Sequence, residues 1–137
     1  MNRGEPMFRE IKMPQPATRL PGPDHPITIE PNPRRVVVRM GGRVIADTRA
    51  ALTLKEAAYP GVQYVPRADV DMSVLERSDF STHCPYKGDA GYYSLAVNGA
   101  RVPNAVWTYE APAPAVAAIK DHLAFYPERV DGIEIGG

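Results

Sequence analysis

The chain has 137 residues, of which 16 are basic and 16 acidic. That length holds one domain of roughly 100 residues and excludes a second catalytic domain, and the cancelling charge supplies no overall positive field for nucleic acid. A single cysteine, Cys84, excludes an intramolecular disulfide and a zinc site built on paired thiolates within one chain. No apolar run reaches the length of a membrane helix and the N-terminus lacks an uninterrupted apolar stretch, so a cytoplasmic protein with no membrane and no nucleic-acid partner is expected. The 15 prolines and 11 glycines interrupt the chain too often for long helices. They predict a small, mainly β (β-rich α+β) domain of short antiparallel strands and hairpins.

In chain order, residues 1–26 carry prolines at 6, 14, 16, 21, 23 and 26 and read as a proline-rich extension. It is either disordered or packed on the domain or on a second subunit, with Met7, Phe8, Ile11 and Met13 as apolar anchors. The compact domain is expected over 27–137, opening with the alternating Ile27-Thr28-Ile29-Glu30. A valine-rich strand over 34–40, Gly41-Gly42 and a return strand over 43–47 make the clearest hairpin. Residues 51–56 form a third strand, Tyr59-Pro60-Gly61 a turn, and 62–66 a short extended run. Asp71 caps one helical turn over 71–75, and the stretch 76–83 is polar. A second hairpin joins 92–97 to 101–107 through Asn98-Gly99. One short C-terminal helix is expected over 113–122, where Val116, Ile119 and Leu123 recur at spacings of three and four behind Pro114. Residues 123–126 are its end or a new strand, and 130–135 form a last short strand.

The densest group of reactive side chains is Thr82-His83-Cys84-Pro85-Tyr86-Lys87-Gly88-Asp89, followed by Tyr92 and Tyr93. Proline before and glycine after hold Tyr86 and Lys87 on a rigid loop. There Lys87 is a nucleophile or base, a cation for phosphate or carboxylate, or simply an exposed lysine lying on tyrosine. Cys84 reads as a small buried thiol or part of the site. Trp107, Tyr109 and Glu110 line a pocket, with Glu110 anchoring a polar ligand atom or pairing with Lys87, or else Trp107 is core.

A third group is Tyr64, Arg67, Asp69 and Asp71. The two carboxylates stand two apart, so on a strand they would face one side and share a divalent metal, whereas in a turn they cap and pair with Arg67. No glycine-serine phosphate loop precedes them, since Gly61 is followed by Val62. His25, His83 and His122 are too scattered for a helical metal site, no serine has a glycine-flanked nucleophile setting, and no cofactor motif is present.

Six segments together resemble one family: Glu30-Pro31-Asn32-Pro33-Arg34-Arg35-Val36; Gly41-Gly42 with Ala46-Asp47; Tyr64-Val65-Pro66-Arg67-Ala68-Asp69-Val70; Cys84-Pro85-Tyr86-Lys87-Gly88-Asp89-Ala90 with Tyr92; Ala105-Val106-Trp107-Thr108-Tyr109; and Leu123-Ala124-Phe125-Tyr126. They occur in the order of domain of unknown function 427 and span nearly all of 27–135. The resemblance implies a small β-rich domain. The family's grouping with nucleotidyltransferases implies a metal role for Asp69 and Asp71 and a phosphate role for Lys87.

The leading expectation is a small polar or anionic ligand bound between the sheet and the loop 84–90, with no cofactor. Lys87 supplies charge, Tyr64, Tyr92 and Trp107 the walls, Arg67 or Glu110 the orientation, and Cys84, Tyr86 and Tyr109 further contacts. The alternatives are an enzyme and a homodimeric interaction module built by the proline-rich arm and exposed strand edges. The enzyme would use Asp69 and Asp71 with magnesium, or Lys87 with Tyr86 or Tyr92 as proton carriers.

Overall fold

The computed structural model describes residues 18–136. The anchors Met7, Phe8, Ile11 and Met13 of the proline-rich extension lie outside the described residues. Ten strands follow: β1 (Ile27–Asn32), β2 (Arg35–Met40), β3 (Arg43–Thr48), β4 (Ala51–Glu56), β5 (Val62–Pro66), β6 (Leu75–Cys84), β7 (Gly88–Val97), β8 (Ala100–Thr108), β9 (His122–Phe125) and β10 (Gly132–Gly136). They form a seven-stranded sheet in the order β1-β4-β5-β9-β8-β7-β6 and a three-stranded sheet in the order β10-β2-β3. Every ladder is antiparallel, and the mainly β fold read from the turn residues is the fold observed.

Both predicted hairpins form for the predicted reason. Gly41 and Gly42 take φ of 59° and 74°, and Asn98 and Gly99 take 52° and 80°, the positive angles that a two-residue hairpin turn requires. Asp71 caps a 3-10 turn, Met72–Val74, its carboxylate accepting the Ser73 N–H at 3.1 Å.

Neighbouring residues of the central strands point to opposite faces of the large sheet, as a pleated strand demands, and both faces are covered. One face and the small sheet enclose Val38, Ile45, Val65, Tyr93, Leu95, Val106, Leu123 and Phe125. The other face carries Leu54, Tyr64, Tyr92, Tyr109, Val116, Ile119 and Ala124. Tyr64 and Val65, Tyr92 and Tyr93, and Leu123 and Ala124 therefore serve different cores from adjacent positions.

Two elements differ from expectation. The polar stretch 76–83 lies within the ten-residue edge strand β6, paired with β7 and interrupted by a register shift between Arg77 and Ser81. The helix expected over 113–122 is a shorter 3-10 segment, Pro114–Ile119, kinked at Val116. Its Val116 and Ile119 are buried as the spacing required, but Asp121 has a φ of 60° and its N–H bonds to the Tyr109 carbonyl, so Leu123 already belongs to β9. Among the described residues no helix is long and apolar enough to cross a membrane.

Candidate functional site

On the tyrosine face of the large sheet a cleft of about 190 Å³ opens. Positions two apart on a strand share a face, so β4 contributes Leu54 and Glu56 and β5 contributes Val62 and Tyr64. Tyr92 comes from β7, Trp107 and Tyr109 from β8 and the residue just beyond it, and Tyr126 follows β9. Tyr59, 65 % exposed in the β4–β5 turn, stands at the rim.

Lys87 enters from the loop between β6 and β7. The Lys87 N–H closes a turn on the Cys84 carbonyl, and the Lys87 carbonyl accepts the Ala113 N–H at 2.9 Å. Gly88, at φ 103°, fits there because a Cβ would stand 3.4 Å from the Ala111 carbonyl oxygen on a backbone that L side chains rarely adopt. The loop is thus pressed against residues 111–113 and the lysine side chain, 11 % exposed, is turned inward.

Inside, Lys87 Nζ is ion-paired and hydrogen-bonded to Glu56 Oε1. Glu56 Oε2 meets His25 Nε2 at 2.7 Å. His25 stacks on Tyr86 with ring centroids 3.8 Å apart, and the Arg19 N–H donates to the Pro85 carbonyl at 2.8 Å. The segment before β1 therefore ties down the lysine loop. Burial disfavours ionisation of Glu56, but the hydrogen bonds from Lys87 and His25 outweigh it and hold the carboxyl below the ordinary glutamate value.

The phenols make the second polar layer. Trp107 Nε1–H donates to the Tyr64 hydroxyl at 3.1 Å, and the Tyr92 hydroxyl bonds to Thr82 Oγ1 at 2.9 Å and to the Tyr126 hydroxyl at 3.3 Å. Tyr109 differs. It is 5 % exposed and lines the cleft, yet its hydroxyl has no hydrogen-bond partner among the described residues. The Tyr64 hydroxyl, which accepts from Trp107, likewise finds no acceptor for its own proton there. Burial pushes the Tyr64 and Tyr109 phenols well above the usual tyrosine value, and burial with the Tyr92 hydrogen bond pushes Tyr126 up to about 12. At neutral pH the cleft presents O–H donors.

Of the residues singled out in the sequence, Lys87, Tyr64, Tyr92, Trp107 and Tyr109 converge on this cleft. Arg67 does not line it: its guanidinium donates to the Tyr93 hydroxyl at 3.2 Å, toward the other core. Glu110 pairs with Arg77, through hydrogen bonds of 2.7 and 3.1 Å, and not with Lys87. Cys84 is half-buried and outside the lining, and Tyr86 acts through His25. Asp69 accepts from Thr48 Oγ1 at 2.7 Å while Asp71 takes Arg43 and Ser73, and both line a shallow depression that Lys87 does not share. Among the described residues no three His, Cys, Asp or Glu side chains gather as a metal cluster. Sequence reasoning missed Glu56, His25, Tyr59 and Tyr126. Glu56 carried one signal, its place two residues after the buried Leu54.

A family model described as domain of unknown function (DUF427) matches residues 28–136, the span over which the six segments resemble that family. No curated protein matches the chain.

Proposed function

The chain belongs to the DUF427 family, and for a member with this cleft we propose that it binds a small polar or anionic molecule against the tyrosine face of the large sheet. The observation that carries this reading is the Tyr109 hydroxyl, buried without a partner among the described residues at the wall of a cleft that also holds a lysine. A buried polar group left unpaired costs about 1–3 kcal/mol, and a ligand oxygen that accepts from it removes that cost. Tyr64 offers a second O–H with no acceptor among the described residues. Lys87 has three N–H donors, more than one carboxylate oxygen takes, so an incoming anion joins Glu56 around the ammonium instead of displacing it. Donors aimed at an acceptor, between aromatic walls, define the ligand class.

Thermal shift of wild type and Tyr109→Phe against carboxylates, sugar phosphates and nucleotides tests this, because a ligand of the native state raises Tm by mass action. The expected outcome is an acceptor-bearing ligand whose affinity falls about three- to tenfold in Tyr109→Phe, the worth of one neutral hydrogen bond. The unliganded variant should be no less stable than wild type. A loss above about 1 kcal/mol without ligand would mean that the hydroxyl is already satisfied, and the reading would fall.

A further inference from the structure

The tyrosine cleft has an apolar neighbour. A second cavity, of about 260 Å³, lies where Val36, Val38, Val65, Phe125, Ile133 and Ile135 approach one another between the two sheets. Trp107 and Val62 line both spaces. The cause is a split in the large sheet. β5 and β9 pair only at His122↔Pro66 and Leu123↔Val65. Beyond those pairs Tyr64, Gln63 and Val62 follow β4, whereas Ala124 and Phe125 follow β8. Trp107, opposite Ala124, spans the opening to reach the Tyr64 hydroxyl. The single tryptophan of the chain is thus the partition between a donor-lined cleft and an aliphatic cavity.

We propose that the two spaces form one site for an amphiphilic carboxylate, with its oxygens at Tyr109, Tyr64 and Lys87 and its alkyl tail beside Trp107 in the aliphatic cavity. This rests on the reading of the cleft as a binding site and names the ligand class. Two observations favour one ligand over two. Each space is below the roughly 300–1,000 Å³ of ordinary small-molecule sites, and only joined do they enter that range. The second cavity also has few polar side chains for a separate ligand: only Gln63 and Trp107 among its lining carry polar groups, the Gln63 amide oxygen already accepts from Asn32 and Thr53, and the Trp107 N–H is given to Tyr64. The other side chains that line it are hydrocarbon.

Trp107 fluorescence reads the proposal directly. The full chain is titrated with linear carboxylates from butanoate to decanoate and with the primary alcohols of the same lengths. Affinity should rise about three- to fourfold per methylene until the cavity is full, and each alcohol should bind at least tenfold more weakly than its acid. Ile135 is 41 % exposed and lines the cavity, so Ile135→Trp can fill the space without entering the core. It should flatten the chain-length dependence while leaving butanoate within about twofold, with binding followed by calorimetry because this variant adds an indole. Ile133→Phe, on the same strand, supplies the same test should the first variant not fold. A flat dependence in wild type, a slope that survives in the folded cavity variants, or alcohols that bind as well as acids would overturn the proposal. Should no carboxylate of the series bind while another acceptor ligand of the thermal-shift panel does, the tail is refuted and the cleft reading stands; if neither binds, both fall.

Discussion

Glu56 is the residue on which the candidate site is organised, since its two oxygens hold Lys87 from one loop and His25 from the segment before β1. Removing one partner of a buried pair leaves the other uncompensated, so Glu56→Gln should lose about 3 kcal/mol in urea unfolding at pH 7. The pH dependence has a definite sign. The folded carboxyl titrates below the ordinary value of 4.5, so its contribution is full above that pH and is lost as pH falls through the folded value. Wild type and Glu56→Gln should therefore converge in acid, and a gap that stayed constant down to about pH 3 would show that the charge is not the cause. Tyr64, Tyr92, Trp107 and Tyr109 were legible in the sequence because they stand in groups of reactive or aromatic residues, whereas Tyr59 stands in a turn and Tyr126 after a strand, outside those groups. Glu56 was not legible either, because Lys87 and His25 each stand 31 residues away and no local pattern joins them.

At the scale of elements, the hairpins and most strands were legible, and the polar edge strand β6 was not. Gly41-Gly42 and Asn98-Gly99 specify their turns by backbone angle, a local property. β6 hid because an edge strand with charged and polar residues has no alternation to display, and that polarity protects its open edge from pairing with other chains. The spacing of Val116 and Ile119 identified the buried side of their segment but did not distinguish an α-helix from the 3-10 turns imposed between Pro114 and Asp121. The pair Asp69 and Asp71, which in the sequence suggested metal chemistry, occupies structural positions. Asp71 caps the 3-10 turn before β6 and holds Arg43, so Asp71→Ala should lower stability while the affinity of a cleft ligand stays unchanged. Chemical unfolding beside a ligand titration separates the two roles; an unaltered stability with lost binding would return Asp71 to the functional site.

The whole molecule depends on pairings that no segment announces. β9 inserts between β5 and β8, although it follows β8 by a 3-10 segment and is separated from β5 by about half of the domain. That insertion puts Leu123 into one core and Ala124 into the other, and the same division runs through Tyr64 and Val65 and through Tyr92 and Tyr93. A strand that serves two cores cannot leave one and keep the other, so unfolding should be a single cooperative event. Leu95→Ala provides the sharp form of this prediction, because Leu95 is fully buried in the core against the small sheet, while Trp107 packs with the tyrosine core. Deleting that side chain should cost about 2–5 kcal/mol. If the sheet couples the two faces, the midpoint read by Trp107 fluorescence must move by the full amount seen in far-UV circular dichroism, although the substitution lies on the opposite face. A fluorescence midpoint left at its wild-type position, with only the dichroism shifted, would mean that the tyrosine core melts independently and that the cleft is held by a smaller unit than the whole domain.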